Sequence, residues 1–392
     1  MFKVYLKQAL FTGCILLFSS SQLFSQNNLK LKYKKSDIYA GIEVGSKGVK
    51  MSLVEISKNP QQKGIEFNIL KDTSVNTDFI SFTQPAFQAT LAALTGLYNT
   101  ASNDYKLTAD KIFTVVSSGV KVQADKVEKN SWIKNLSDSF RTNIKEPNRQ
   151  VEVVDVLQEA RLSHLGIVPE SRRFNTFLID IGSGNTKGGY FPSGNTNDFK
   201  LFQLSWGTKS TANATDKRLA DDRTIYNFNK QLYRVLAGSA NDEIVYAVNL
   251  SGAYNMSDNI AFSGGIAWSV ATLISPELID NPVIPVTYED VESFFDKIYK
   301  EYSSLSDAEI VKPLTDPTLN KAAIAKEVQR VNKVFDQQSL LAGTGLLLKI
   351  MRQFEGIYEK KQFYLVKNGQ VGWISAYVDQ TINKPADQTA SK

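Results

Sequence analysis

The stretch from Phe177 to Tyr190, FLIDIGSGNTKGGY, sets an acidic residue and a glycine-rich turn at the end of an apolar run. Phosphate recognition is the chemistry that uses such a pattern. Phe177 to Ile181 has the short apolar run of a strand buried on both faces, with Asp180 near its end. Gly182, Gly184, Gly188 and Gly189 then free the backbone. Successive N–H groups in such a turn can converge on one phosphate, and the adjacent carboxylate can hold a divalent cation, directly or through water. A plain hairpin with glycines at its bend has the same composition, because single glycine-rich loops are common. The chain, however, carries the pattern twice. Ile38 to Val44 is an apolar strand with Glu43 near its end, followed by the turn Gly45-Ser46-Lys47-Gly48 and a returning strand, Val49 to Ile56. Two such units, one around Glu43 and one around Asp180, predict a duplicated domain facing itself across a cleft.

Several further junctions could present groups to that cleft. Lys111 to Val116 reads as a strand entering Ser117-Ser118-Gly119-Val120-Lys121, a small-residue loop that bears a cation. A strand at Val151 to Val156 leads into a helix, Leu157 to Leu165, carrying Glu159, Arg161 and His164. Phe202 to Trp206 is a strand before Gly207-Thr208-Lys209-Ser210, and a polar stretch runs from Asn213 to Thr224. Asn259 to Phe262 is a strand before Gly264 and Gly265, with a helix from Ala267 to Leu273; a helix N-terminus favours anions. Apolar periodicity predicts helices over Thr83 to Leu97, Ile225 to Leu236, Glu289 to Tyr302, Ile324 to Val334 and Leu340 to Phe354. Phe363 to Val366, a turn at Gly369 and Trp373 to Val378 read as strand, turn and strand, and the polar end of the chain, 381–392, as a disordered tail.

Composition bounds the classes of function. A chain of 392 residues exceeds what one core usually serves, so two domains are expected, over residues 36–170 and 171–380. The net charge of +5 is small, with lysines scattered among acids, which argues against nucleic acid as a partner. Residues 1–25 have the layout of a secretory signal: Lys3 and Lys7, the apolar Ala9 to Phe18, then small residues. The apolar run falls short of the ~20 residues needed to span a bilayer, so an exported protein with no transmembrane segment after cleavage is expected. Cys14 is the only cysteine and His164 the only histidine. Disulfides, thiol nucleophiles, serine–histidine catalysis and histidine metal clusters are thereby disfavoured, and His164 is read as structural.

The order of these motifs resembles the exopolyphosphatase and guanosine pentaphosphate phosphatase family, part of the actin, heat-shock chaperone and sugar-kinase superfold. The family's first loop, Asp-Ile-Gly-Ser-Asn-Ser-x-Arg, is met by Glu43-Val44-Gly45-Ser46-Lys47-Gly48-Val49-Lys50. Its Thr-Ser-Ala-x-Arg loop is met by Ser117 to Lys121, and its Glu-Ala-Arg-Leu helix by Glu159-Ala160-Arg161-Leu162. The second loop, Asp-Ile-Gly-Gly-Gly-Ser-Thr-Glu, is met by Asp180-Ile181-Gly182-Ser183-Gly184-Asn185-Thr186-Lys187, and the Gly-Gly-Thr turn by Gly264-Gly265.

The resemblance implies two actin-like, ribonuclease-H-like α/β domains around a phosphate-binding cleft. Glu159 would activate water, and Glu43 and Asp180 would place Mg²⁺ or Mn²⁺. Gly45, Ser46, Lys47, Ser118, Lys121, Gly182, Ser183, Gly184, Asn185, Thr186, Gly264 and Gly265 would bind phosphate. Three departures stand out: Glu43 replaces Asp, Lys121 replaces Arg, and Lys187 replaces Glu. With Lys47, Lys50 and Lys209 they make a more cationic cleft, which draws in a polyanion and lessens the need for metal. Polyphosphate or another phosphorylated small molecule is the expected partner, with a homodimer also open. The rival expectations are a degenerate binder of polyanion or nucleotide on the same fold, and an ATP-using kinase or actin-like polymer.

Overall fold

The computed structural model describes residues 29–58, 67–192, 194–252, 257–355, 360–367, 369 and 372–382. The expected signal segment and the tail beyond residue 382 lie outside the described residues.

The first sheet contains β1 (Ser36–Val44), β2 (Gly48–Ser57), β3 (Phe67–Asn76), β4 (Ile112–Val116) and β5 (Glu152–Val153), in the order β3-β2-β1-β4-β5. The second contains β6 (Thr176–Ile181), β7 (Thr186–Tyr190), β8 (Lys200–Leu204), β9 (Asn259–Ser263), β10 (Val283–Val286) and β11 (Gln362–Val366), in the order β10-β11-β9-β6-β7-β8. Both follow one plan. An antiparallel three-strand meander (β1-β2-β3 and β6-β7-β8) is extended from its first strand by parallel neighbours (β4 and β5, β9 and β11). The duplication read from two glycine turns therefore extends to strand order and direction. It reaches register as well: Glu43 pairs with Lys50 across the first hairpin, and Asp180 with Lys187 across the second.

Burial explains the strands. All six residues of β6 are buried, as expected for a central strand covered on both faces. One core packs Ile42, Met51, Leu53, Phe79, Leu94 and Phe140 beside the first sheet, and a larger one packs Phe177, Phe202, Phe262, Leu346 and Phe354 beside the second. The helix Val156–Ile167 starts where the Asp155 carboxylate accepts from the Gln158 N–H at 2.7 Å, and this cap fixes the turn that carries Glu159. Among the described residues no helix is long and apolar enough to cross a membrane.

The chain's end differs from expectation. Trp373 to Val378 is not a strand but part of a helix, Gly372–Ile382, so residues 381 and 382 close a helix rather than open a tail. Every residue from Gly372 to Asp379 is buried, and a short apolar run without polar alternation cannot be told from a strand by period alone. This helix crosses back to the first sheet, where Trp373, Ile374, Tyr377 and Val378 pack with Val115, Val154 and Leu162. Gly41 permits the approach, because a Cβ there would lie 2.5 Å from Ile374 Cγ1. The helix Thr208–Asp216 runs into the polar stretch that begins at Asn213.

Candidate phosphate-binding cleft

Each hairpin turn closes in the same way: the Gly45 N–H donates to the Gly48 carbonyl at 2.9 Å, and the Gly182 N–H to the Asn185 carbonyl at 3.0 Å. The two turns face a common cavity of about 120 Å³ between the sheets. A water occupies about 30 Å³ of liquid and drug-sized pockets begin near 300 Å³, so this space suits one phosphoryl group with its waters.

The halves meet directly over the cavity. A Cβ at Gly184 would lie 2.6 Å from Ser46 Oγ and 2.9 Å from the Gly119 carbonyl oxygen, so the second turn touches both loops of the first half. Gln123 Nε2 donates to the Gly184 carbonyl at 2.6 Å, and Asn185 Nδ2 donates to Ser118 Oγ at 3.3 Å. Lys209 pairs with Asp78, while Lys47 donates to the Val334 carbonyl and lies 4.7 Å from the centre of the Phe335 ring. These contacts hold the cleft closed.

Three acids and one lysine form its floor. Lys187 Nζ lies 2.7 Å from Asp180 Oδ2 and 2.9 Å from Glu159 Oε1, with side-chain exposures of only 5% for the lysine and 1% for Glu159. The remaining oxygens of the two acids are also engaged. Asp180 Oδ1 accepts from Ser263 Oγ at 2.8 Å. Glu159 Oε2 accepts from the Ser118 N–H at 2.6 Å, the first N–H of the helix Ser118–Lys126 and so its positive end. Burial opposes the charge on Lys187, but Asp180 and Glu159 outweigh it and hold the ammonium above the ordinary lysine range. Glu43 stands apart: Trp373 Nε1 donates to its Oε2 at 3.2 Å. Burial pushes its carboxyl above the usual range, with Lys50 pulling the other way and Glu159 adding to the rise.

Of the residues expected to act, Glu43, Gly45, Ser46, Lys47, Glu159, Asp180, Gly182, Ser183, Gly184, Asn185 and Gly265 all line the cavity. The others are placed elsewhere. Lys121 is not among the residues that line the cavity; it lies along the exposed side of its helix and pairs with Asp125 one turn on, at 2.5 Å. Thr186 is buried with its hydroxyl donating to the Trp206 carbonyl at 2.7 Å, which ties β7 to the segment that follows β8. Ser118 serves Glu159 through its backbone rather than facing the cavity. Gly264 supports the site from behind: at φ +94° a Cβ would lie 2.2 Å from the Ile181 carbonyl oxygen and 3.1 Å from Asp180 Oδ1. The helix N-terminus after Gly207 is spent on structure, since the Thr208 and Lys209 N–H groups donate to the Gly182 and Ser183 carbonyls at 2.9 Å. His164 is fully buried, its ring 4.9 Å from that of Phe191 and its Nε2 3.0 Å from the Thr176 carbonyl.

Sequence reasoning missed Trp373, Ser263 and Gln123. Gln123 follows Lys121 by two residues, which on a helix turns it to the other side and into the cleft. Reading the last apolar segment as a helix would have exposed Trp373.

The donor set can be tested against Mg²⁺ or Mn²⁺. Among the described residues no group of three or more His, Cys, Asp or Glu side chains is arranged to hold a metal ion. More directly, the expected pair is Glu43 and Asp180, and the place beside Asp180 is taken by the Lys187 ammonium, 2.7 Å from Oδ2. A dication seated there would meet a like charge, so this arrangement does not fit the metal.

No protein-family model and no curated protein matches the chain. Solved structures do. A Ppx/GppA family member from Aquifex aeolicus aligns with a TM-score of 0.58 at 16% identity, over 90% of this chain and 100% of that one. The type II variant of the Aquifex aeolicus Ppx/GppA phosphatase aligns at 0.54 and 17%, over 87% and 98%. An exopolyphosphatase from Cytophaga hutchinsonii aligns at 0.58 and 12%, over 88% and 98%. The chain thus has the two-domain, actin-like α/β fold of these proteins across nearly their whole length.

Proposed function

We propose that the chain is a phosphoanhydride hydrolase of the exopolyphosphatase and guanosine pentaphosphate phosphatase type, releasing orthophosphate from the end of a polyphosphate chain. One observation carries the reading: both glycine turns and the Glu159 carboxylate converge on a single cavity sized for one phosphoryl group. Backbone N–H groups of the turns, with Ser46 and Ser183, would hold the terminal phosphoryl oxygens as charge spreads over them. Glu159, fixed at both oxygens by Ser118 and Lys187, would orient the attacking water through a remaining lone pair and take its proton. The water oxygen bonds to the terminal phosphorus, the bridging P–O bond breaks, and the shortened chain leaves with the electron pair. Lys50 at the cavity wall would meet the next phosphates. The signal-like N-terminus supports an exported protein, where polyphosphate is a more accessible substrate than nucleotides.

The test is orthophosphate release from polyphosphate by wild type beside Glu159→Gln. A loss of about 100-fold or more, with KM little changed, is expected for a removed general base; equal rates would sink the assignment. A second reading, capture of polyphosphate without turnover, is favoured by the lysine that neutralises Glu159. Tight, salt-sensitive binding with no phosphate released would select it.

A further inference from the structure

We infer that Lys187 takes the place of the divalent cation in this cleft, so that the chain engages phosphate with a built-in ammonium and seats no metal at Asp180. The inference rests on reading the cleft as a phosphate site and deepens that reading.

Three observations converge on it. The ammonium is within 2.9 Å of both carboxylates, and each carboxylate turns its second oxygen to a structural donor, Ser263 Oγ or the Ser118 N–H. The two acids thus form a socket for the lysine, each oxygen already carrying one donor. The ammonium also lies against the second phosphate turn, because a Cβ on Gly182 would be 3.4 Å from Lys187 Nζ. An ammonium has three N–H donors; two serve the carboxylates, and the third is available to a phosphate oxygen in the cavity that Lys187 lines. Finally, the placement is built into the hairpin. Lys187 stands directly across from Asp180, as Lys50 stands across from Glu43, so strand pairing itself delivers a cation beside each acid. A point charge held this way supplies electrostatic stabilisation without recruiting an ion.

Manganese titration tests this on the full chain, comparing wild type with Lys187→Gln and Lys187→Met. Bound Mn²⁺ is read by electron paramagnetic resonance and by thermal shift, and folding of each variant is checked by circular dichroism. Wild type should bind no Mn²⁺ at the cleft, whereas the folded variants should gain one saturable site and a Tm that rises with Mn²⁺ concentration. Asp180→Asn added to either variant should abolish the gain. Stoichiometric Mn²⁺ binding by wild type that Asp180→Asn removes would overturn the inference, as would variants that bind no more Mn²⁺ than wild type. Phosphate release separates this outcome from the functional reading. Unchanged turnover in excess chelator supports both claims, and turnover that strictly requires an added dication overturns only the role of Lys187. No turnover under any condition rejects hydrolysis while the Mn²⁺ measurements still decide the lysine.

Discussion

Replacing Lys187 by methionine keeps most of the side-chain volume and removes the ammonium that bridges Asp180 and Glu159. All three groups have little exposed surface, so the two carboxylates lose their shared partner with only the few waters of the cavity to replace it. Breaking a buried ion pair by removing one member costs about 3–5 kcal/mol, most of it the penalty of the charge left behind. With two carboxylates stranded, the upper part of that range is expected. One kcal/mol moves Tm by roughly 2–4 °C in a domain of this size, so Lys187→Met should lower Tm on the order of 10 °C. A thermodynamic cycle makes the cause specific. Asp180→Asn in the Lys187→Met background removes one stranded charge, so the double substitution should be more stable than the sum of the singles by about 0.5–3 kcal/mol. Urea unfolding followed by tryptophan fluorescence measures all four proteins. A Lys187→Met cost within about 0.5 kcal/mol of wild type, the range of ordinary surface changes, would refute the picture of a desolvated triad. So would strict additivity with Asp180→Asn.

Two further predictions probe the loops and the lone histidine. Gly184→Ala sets a methyl group 2.6 Å from Ser46 Oγ and 2.9 Å from the Gly119 carbonyl oxygen. The serine can rotate but the backbone cannot, so the cleft should no longer close fully. Phosphate release should fall at least about 100-fold, as for a misplacement near 1 Å, while small-angle scattering shows a larger radius than wild type; normal activity would show that closure is not required. His164 is buried, and burial lowers its pKa from 6.5 to about 4. Between those values the unfolded chain binds a proton that the folded chain refuses, so stability is lost as pH falls from 6.5 to about 4. The gap is worth about 3 kcal/mol. Urea midpoints for wild type should therefore decline over that window relative to His164→Phe, and parallel curves would contradict the assignment.

Much of the fold was legible because its signals are local. An apolar strand, an acid and a glycine turn are contiguous residues, and finding them twice was enough to anticipate the paired domains and the cleft. The helix with Glu159 was legible for a similar reason, through its own short run of residues. What failed had no local signal. Trp373 to Val378 has the composition of a strand, and only burial on all sides against the first sheet makes it a helix. Strand β3, which brings Ser74 and Asn76 to the cavity, has a polar sequence, FNILKDTSVN, and takes its conformation from nine residue pairs with β2.

The lysines divide the two kinds of information most clearly. From the sequence alone came the acids, the glycine turns, the general-base candidate and a cationic cleft. Which cations matter was decided by tertiary structure. Lys121, which keeps the charge of the motif's Arg, turns along its helix to Asp125, whereas Lys187, which reverses the charge of the motif's Glu, is carried by strand pairing into the gap between Asp180 and Glu159. Residue order specifies how often a charge recurs along the chain. Where a flexible four-carbon side chain ends depends on which carboxylates lie within about 3 Å of it: the hairpin alone sets Lys187 beside Asp180, but its approach to Glu159 exists only once both halves of the cleft have folded together.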